Sequence, residues 1–300
     1  QEGEISYKGQ LLADTSSYTL AKEIGYVSQI PEQQIVMDEV WHELAFGLEN
    51  LGTPPAIIRT KIAEIANFFG IQHWFHQKTM SLSGGQKQLL NLAAVLVMEP
   101  EVLILDEPTS QLDPIAAAEF IGVLNKVHKQ LGITIILTEH RLEEVLPLCD
   151  RAAYLKEGKI HCIDTPKTLG AKLNDDVMME ALPAATRIFY GLRGDGACAL
   201  TERDGMLFLQ DYEAQSFAQV ASQNREPLIT LQDICFRYEK DGKDIAKNAT
   251  LVIEKGEIFS IVGSNGSGKT TLLQIINSIF TKNFDFLFTI DFNQIEIFFS

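Results

Sequence analysis

Apolar and polar positions along residues 1–165 form short strand-like runs that alternate with helical patterns, which predicts an α/β fold. Strands are predicted at 4–8, 25–28, 102–105 and 133–137, with a hairpin at 153–162. Helices are predicted at 40–51, 57–69, 83–98 and 113–130. The runs at 102–105 and 133–137 are apolar throughout, which predicts strands buried on both faces of a parallel sheet.

The second half of the chain begins a new pattern after a weakly patterned stretch. Strands are predicted at 228–238, 249–253 and 258–262, followed by a helix at 270–280. We therefore divide the chain into 1–165, an appendage and linker at 166–227, a second domain start at 228–280, and a tail at 281–300. Strictly alternating phenylalanines make that tail atypical, and we assign it no function.

Composition narrows the classes of function. The chain is 46% hydrophobic and 22% charged, as soluble globular proteins are. Its net charge of −15 repels a phosphate backbone and argues against nucleic acid as the main partner. The four cysteines are scattered, which indicates reduced thiols and the cytosol. No apolar stretch approaches the ~20 residues that span a bilayer, so a membrane role requires a partner subunit.

A phosphate-binding loop of the form G-x-x-x-x-G-K-[ST] lies between the predicted strand at 258–262 and the predicted helix. It consists of Gly263, Ser264, Asn265, Gly266, Ser267, Gly268, Lys269 and Thr270, followed by Thr271. Its glycines allow backbone N–H groups to surround phosphates, and the helix N-terminus attracts negative charge. Lys269 would reach the β- and γ-phosphates, and the Thr270 hydroxyl would bind Mg²⁺. The loop predicts binding of a nucleoside triphosphate.

Five further segments occur in a fixed order along the first domain. They are Gln29 after a strand, Leu82-Ser83-Gly84-Gly85-Gln86, Asp106-Glu107 at the end of an apolar run, Asp113, and His140 after another run. In this order they resemble the nucleotide-binding domain of ABC ATPases. That resemblance implies an α/β P-loop NTPase fold with a RecA-like, mostly parallel sheet, an antiparallel β part and a helical signature subdomain.

The resemblance also implies roles for these residues, with ATP and Mg²⁺ as substrate and cofactor. Glu107 would be the general base, His140 would hydrogen-bond the γ-phosphate, and Gln29 would orient the attacking water. Asp106, Thr270 and Gln29 would hold Mg²⁺. The remaining nucleotide-binding residues would be the signature Ser83, Gly84, Gly85 and Gln86, together with Asp113, which links two sites, and Tyr238, which stacks on adenine.

A closer resemblance is to the ATP-binding subunits of energy-coupling factor transporters with two fused copies. It rests on residues 31–36, 40–50 and 181–186. It implies an ATPase that powers import of a vitamin or metal ion, on the cytoplasmic face of the membrane. Its partners would be a transmembrane subunit, a substrate-binding membrane subunit and a second ABC domain. The alternative for 40–50 is an amphipathic helix that packs on its own domain.

The order of the motifs leaves two arrangements open. The chain could be part of a protein with two tandem copies of the domain. In that arrangement Lys269 binds a nucleotide whose site is completed by Ser83 of the facing domain. The chain could instead be a circularly permuted single core, with Lys269 beside Asp106. Two other functions also stay open: a soluble ABC ATPase outside transport, and an inactive nucleotide-binding fragment.

Overall fold

The computed structural model of the chain describes residues 3–173, 176–192, 194, 198–210, 212, 226–236, 245–263 and 267–281. Gln1–Glu213 and Ala214–Ser300 form two compact units. The strands are β1 (Ser6–Tyr7), β2 (Gln10–Leu11), β3 (Ile24–Val27), β4 (Val102–Asp106), β5 (Thr134–Thr138), β6 (Ala152–Lys156), β7 (Lys159–Asp164), β8 (Pro227–Phe236) and β9 (Ala246–Glu254). The α-helices are α1 (Ser17–Glu23), α2 (Pro31–Gln34), α3 (Val40–Asn50), α4 (Pro55–Phe69), α5 (Gly84–Leu96), α6 (Pro114–Leu131), α7 (Leu142–Val145), α8 (Pro166–Lys172), α9 (Ala184–Gly191), α10 (Glu202–Leu209) and α11 (Lys269–Thr281). Short 3₁₀ helices lie at Leu12–Asp14, Gln72–Trp74, Thr79–Ser81, Leu146–Leu148 and Val177–Ala181.

The first unit is built on a parallel sheet in the order β3-β4-β5. The sheet, with antiparallel pairs elsewhere in the chain, confirms the predicted α/β class. Leu103 and Leu105 of β4 are buried with Val27 in the main core, against α3, α4, α5 and α6. The parallel strands therefore align their carboxyl ends along one edge, where ligands bind in folds of this class.

The opposite face of this sheet is partly exposed, so the prediction that these strands are buried on both faces is wrong. Tyr26, Ile104 and Ile136 are in register across the three strands, and Tyr26 and Ile136 are 51% and 55% exposed. The apolar runs do form strands, but in the described residues the main core packs on one face alone. An apolar run shows that a strand is suited to burial, whereas the covering layer comes from residues elsewhere.

The predicted helices are present, and two glycines show how closely α5 and the residues after it pack against β3 and α3. A Cβ added to Gly25 would lie 2.3 Å from Val95 Cγ1, and one added to Gly47 would lie 2.6 Å from Met98 Sδ. The apolar face of α3 is buried in the main core of its own unit through Val40, Leu44, Ala45 and Leu48. The apolar face of α3 therefore packs on its own domain, which is the alternative given above for residues 40–50.

The rest of the first unit is a hairpin and a small helical region. Strands β6 and β7 pair around Glu157 and Gly158, which have φ of +53° and +74°, as a tight hairpin turn requires. Helices α8, α9 and α10 surround two small cores. One core contains Leu146, Leu169, Leu173 and Leu182, and the other contains Ala185, Phe189, Cys198, Ala199 and Leu200.

The second unit contains the antiparallel pair β8-β9 and helix α11, joined by Leu231, Ile234 and Ile275. The strand predicted at 258–262 is wrong, because these residues are not in a strand and Ile258 is fully exposed. A strand requires neighbours to hydrogen-bond, and in the described part of this unit β8 and β9 pair only with each other. Of the tail at 281–300, only Thr281 is described, as the end of α11. No helix in the described part of the chain is both long and apolar enough to span a membrane.

Candidate active site

The carboxyl ends of β3, β4 and β5 bring four of the predicted site residues together. Gln29 follows β3, Asp106 ends β4 with Glu107 next to it, and His140 lies two residues after β5. Gln29 and Glu107 are 78 positions apart in the chain, yet Gln29 Nε2 donates to Glu107 Oε2 at 2.8 Å. The parallel sheet explains this proximity, since its strands all end at the same edge.

Glu107 is held on both carboxylate oxygens. Gln29 contacts Oε2, and Nε2 of His140 lies 2.8 Å from Oε1. The Glu107 side chain is 28% exposed, whereas that of His140 is 82% exposed. Glu107 has a φ of +41°, a backbone conformation rare outside glycine, and its N–H donates to Oγ1 of Thr138 at 3.0 Å. Strained backbone of this kind concentrates at functional sites.

Asp106 presents a carboxylate suited to Mg²⁺. Its Oδ1 accepts from Thr138 Oγ1 at 2.9 Å and its Oδ2 accepts from the Tyr26 hydroxyl at 3.4 Å. Burial and then the charge of Asp106 raise the pKa of Tyr26, so that hydroxyl remains a donor. The described residues contain no group of three or more His, Cys, Asp or Glu placed for a metal. One hard carboxylate with substrate phosphates is the usual Mg²⁺ arrangement, and Asp106 fits it.

Sequence reasoning missed a carboxylate that joins two segments of this edge. Glu139 Oε1 accepts from Thr109 N at 3.1 Å and from Thr109 Oγ1 at 2.5 Å, while its Oε2 accepts from His140 N at 3.0 Å. Thr109 is buried, at 1% exposure. The available signal was the position of Glu139 next to His140. Asp113 caps α6, accepting from the N–H groups of Ile115 and Ala116 at 3.0 Å.

The signature residues form the N-terminus of α5. Ser83 Oγ accepts from Gln86 N at 3.3 Å and Ser83 N donates to Gln86 Oε1 at 2.9 Å, the capping box that the sequence predicts. Gly84 and Gly85 lie in the first turn, where backbone N–H groups have no acceptor within the helix. A Cβ on Gly85 would lie 3.0 Å from Cβ of Ala116, so α5 and α6 begin close together. This helix end is suited to bind an anion.

The phosphate loop lies in the second unit, at the start of α11. Lys269 Nζ donates to the Gly263 carbonyl at 2.5 Å, across the loop. Gly268 has a φ of +88°, and a Cβ there would lie 2.9 Å from Ile245, so the position requires glycine. Ser267 and Thr270 are exposed and Thr271 is buried. Ser264, Asn265, Gly266 and Tyr238, which the sequence also predicts for this site, lie outside the described residues.

A family model described as "ABC transporter" matches residues 1–110 and 246–287. A putative ABC transporter ATP-binding protein of Bacillus anthracis is 45% identical over 278 residues, which cover 91% of this chain and 50% of the relative. A putative ABC transporter ATP-binding protein of Methanosarcina mazei is 33% identical over 288 residues, covering 90% and 49%. The chain thus spans about half the length of the curated relatives it matches.

A solved structure adds a likeness in fold. CbiO1 of Clostridium perfringens, described as part of the ABC transporter complex CbiONQ, is similar with a TM-score of 0.52 and 34% identity. The similarity covers 60% of this chain and 75% of CbiO1. Together with the parallel sheet and the helical signature region, it shows the P-loop NTPase fold of an ABC ATPase.

Proposed function

The chain belongs to the ABC transporter ATP-binding family, and from this premise we propose that it binds and hydrolyses ATP to power an importer of the energy-coupling factor type. The observation that carries the proposal is the Glu107 carboxylate, which Gln29 and His140 contact from two other strand ends. A carboxylate fixed in this way, beside a second carboxylate on Asp106, is suited to phosphoryl transfer to water, with one carboxylate as base and the other as a ligand for Mg²⁺.

In this proposal the chain's own residues orient and deprotonate the attacking water. Glu107 accepts the proton, and its two contacts fix the direction in which its free lone pairs point. Gln29 orients the water, and the exposed His140 turns toward the γ-phosphate. Asp106 and Gln29 would offer oxygen ligands to Mg²⁺, which when bound offsets the negative charge of the phosphates. The Thr270 hydroxyl would offer a ligand to the Mg²⁺ of the nucleotide that the phosphate loop binds.

Two further anion-binding elements support nucleotide binding. Lys269 and the N-terminus of α11 offer an ammonium group and backbone N–H groups to phosphates. The N-terminus of α5 offers a second such end through Ser83 and Gly85. We propose that the first binds the β- and γ-phosphates and the second binds a γ-phosphate presented by a facing domain.

The transport part of the proposal rests on the segment from α2 to α3. Its apolar face packs in its own core, and Trp41 stacks edge-on against Phe75 at 5.3 Å, so the helix is firmly held. Near it Val36 and Met80 are 61% and 81% exposed, apolar surface that a membrane subunit could cover. CbiO1 is described as part of the ABC transporter complex CbiONQ. We therefore propose a cytoplasmic subunit that docks on transmembrane and substrate-binding partners and serves uptake of a vitamin or metal ion.

Mg²⁺-dependent ATP hydrolysis by the purified chain tests the enzymatic proposal. Lys269→Ala should weaken nucleotide binding, and Glu107→Gln should abolish turnover while binding is kept. Lys255→Ala and Glu119→Gln change exposed residues of the same types and serve as matched controls. Turnover that survives Glu107→Gln would contradict the assignment of the base.

Co-purification tests the partner. A transporter subunit should be recovered with a membrane protein from detergent-solubilised membranes, whereas an ABC ATPase outside transport should hydrolyse ATP without one. Recovery free of any membrane protein, with full activity, would favour that alternative.

A further inference from the structure

The loop that carries Gln29 rests directly on the signature helix. Gln88 Nε2 of α5 donates to the Ser28 carbonyl at 3.2 Å, and Asn91 Nδ2 donates to the Pro31 carbonyl at 3.1 Å. The two contacts lie on either side of Gln29 along the chain. Lys87 adds an ion pair with Glu32 at 3.0 Å, and this hydrogen bond is the main cause of the lowered pKa of Glu32.

Both amide side chains are buried, since Gln88 is 0% exposed and Asn91 is 1% exposed. Their NH₂ groups donate to the two carbonyls, whereas Gln88 Oε1 and Asn91 Oδ1 have no hydrogen-bond partner among the described residues, so the donor contacts fix the side chains. Gln34 closes the loop from its other side, because its Oε1 accepts from Ser28 N at 2.9 Å and its Nε2 donates to the Tyr26 carbonyl at 3.0 Å. The loop is therefore fixed to α5 at its main chain, while the Gln29 side chain remains directed at Glu107.

We call the two hydrogen bonds from Gln88 and Asn91 to the Gln29 loop the clamp. The positions of Gln88 and Asn91 along α5 connect this clamp to the signature residues at the start of the helix. Gln88 and Asn91 lie four and seven residues after Gly84, which is about 6 and 10 Å along a helix. A shift of α5 as one element would carry a displacement of its N-terminus to the Ser28 and Pro31 carbonyls through these two hydrogen bonds. Gln29 would then move relative to Glu107, whose Oε2 it now occupies.

We propose that Gln88 and Asn91 are positioning residues that tie the Gln29 loop to the signature helix, so that nucleotide bound at the N-terminus of α5 controls the contact between Gln29 and Glu107. This inference rests on the proposed function for its use of nucleotide. The mechanical link itself is a property of the resting chain, and it is tested there first.

The test compares the full chain with Gln88→Met and Asn91→Leu, which keep side-chain size but remove the donor. Thr186→Val is the matched control, since Thr186 is 1% exposed and its Oγ1 donates to the Ala199 carbonyl at 2.7 Å, far along the chain from the loop. Hydrogen–deuterium exchange reports on residues 26–36, and the side-chain NH₂ signal of Gln29 in ¹⁵N-glutamine-labelled protein reports on its contact with Glu107.

Without nucleotide, we expect exchange at residues 28–35 to rise at least about tenfold in Gln88→Met and Asn91→Leu. The Gln29 signal should move toward that of a solvated amide, and Thr186→Val should change neither. Unchanged exchange and an unchanged Gln29 signal would overturn the clamp, as would faster exchange spread evenly over the whole first unit.

Nucleotide then separates the inference from the proposed function. If wild-type chain hydrolyses Mg·ATP, both variants should lose kcat with little change in KM, whereas equal loss in the control would contradict the positioning role. If wild-type chain neither binds nor hydrolyses ATP, the proposed function fails and control by nucleotide fails with it, while the resting-state measurements still decide the clamp.

Discussion

His140 Nε2 lies 2.8 Å from Glu107 Oε1, although 33 positions separate the two residues in the chain. The contact joins the exposed His140 side chain, which follows β5, to the half-buried Glu107 side chain, which follows β4. Since Gln29 donates to the other carboxylate oxygen, the Glu107 that we propose as the base would take up a proton from water through its remaining lone pairs. On this proposal the three side chains act as one unit, and their effects on rate should not be independent.

Removal of His140 tests this coupling. We expect His140→Ala to lower kcat for ATP by roughly 10²- to 10³-fold, the range for loss of one donor that stabilises developing charge. In the Glu107→Gln background the same change should lower kcat far less. When residues act as a unit, the first substitution already removes most of the rate enhancement that they provide together. Steady-state kinetics of the four chains measures this, and additive losses would show that the residues act separately.

Glu139 should support catalysis by holding Thr109 and His140 in position, and not only by its charge. Glu139→Gln retains one acceptor but turns an NH₂ group toward either Thr109 or His140, so one contact breaks. We expect kcat to fall about 10- to 100-fold with KM unchanged, the scale for a slightly misplaced catalytic group. Thr109→Val removes the Oγ1 contact alone and should cost less. The opposite order of the two variants would contradict a shared anchoring role.

The resemblance to ABC ATPases pointed to Gln29, Asp106, Glu107 and His140, and the strand pattern explains why they meet. Asp106 and Glu107 end an apolar run, and Gln29 and His140 follow strands, so a parallel sheet brings them to one edge. Glu139 and Gln88 could not be found this way, because they bind main-chain groups 30 and 60 positions away. A hydrogen bond to a distant backbone leaves no periodic pattern in the sequence.

The wrong predictions have the same origin. The apolar run at 258–262 meets the local requirements of a strand, but a strand forms only where another strand accepts its hydrogen bonds. The open face at Tyr26 and Ile136 likewise shows that burial depends on which layer packs against a strand. Both depend on residues outside the run itself.

The contact between Gly25 and Val95 predicts a stability effect that a second substitution relieves. A Cβ at position 25 would lie 2.3 Å from Val95 Cγ1, so Gly25→Ala overpacks the core and should cost about 1–3 kcal/mol in the free energy of unfolding. Adding Val95→Ala should restore part of that loss. Gly122→Ala, where a Cβ meets nothing within 4 Å in α6, should instead stabilise by about 0.5–1 kcal/mol. Urea unfolding compares the four chains, and no relief from Val95→Ala would refute the clash.

Glu43 should be needed for the turn before α3. It is 5% exposed, and its Oε2 accepts from the N–H groups of Val36 and Met37 at 2.9 and 2.7 Å. Glu43→Ala leaves these donors without their acceptor, at a cost of about 1–3 kcal/mol for a buried group. The exposed Glu49→Ala on the same helix should change the free energy of unfolding by less than about 0.5 kcal/mol. Equal effects of the two changes would contradict the role of Glu43 as the acceptor for this turn.

Asp176 predicts how the stability of the first unit depends on pH. Its carboxylate accepts from Lys156, from the Tyr154 hydroxyl and from Met178 N, and these contacts, Lys156 first, lower its pKa from 3.8 to about 2. Since the folded state holds its proton less tightly than the unfolded state does, this stabilisation is complete above about pH 4 and is lost as pH falls toward 2.

The difference in melting temperature between wild type and Asp176→Asn should therefore be constant from pH 7 to 5 and should shrink as the pH falls from 4 toward 2. The exposed Asp14→Asn should show a small difference throughout, since Asp14 lies at the surface of a 3₁₀ helix with no such set of donors around it in the described contacts. Thermal unfolding followed by circular dichroism across this range measures both. A difference for Asp176→Asn that stays constant down to pH 2 would mean that Asp176 stabilises the fold without its charge, and the ion pair with Lys156 would then contribute nothing.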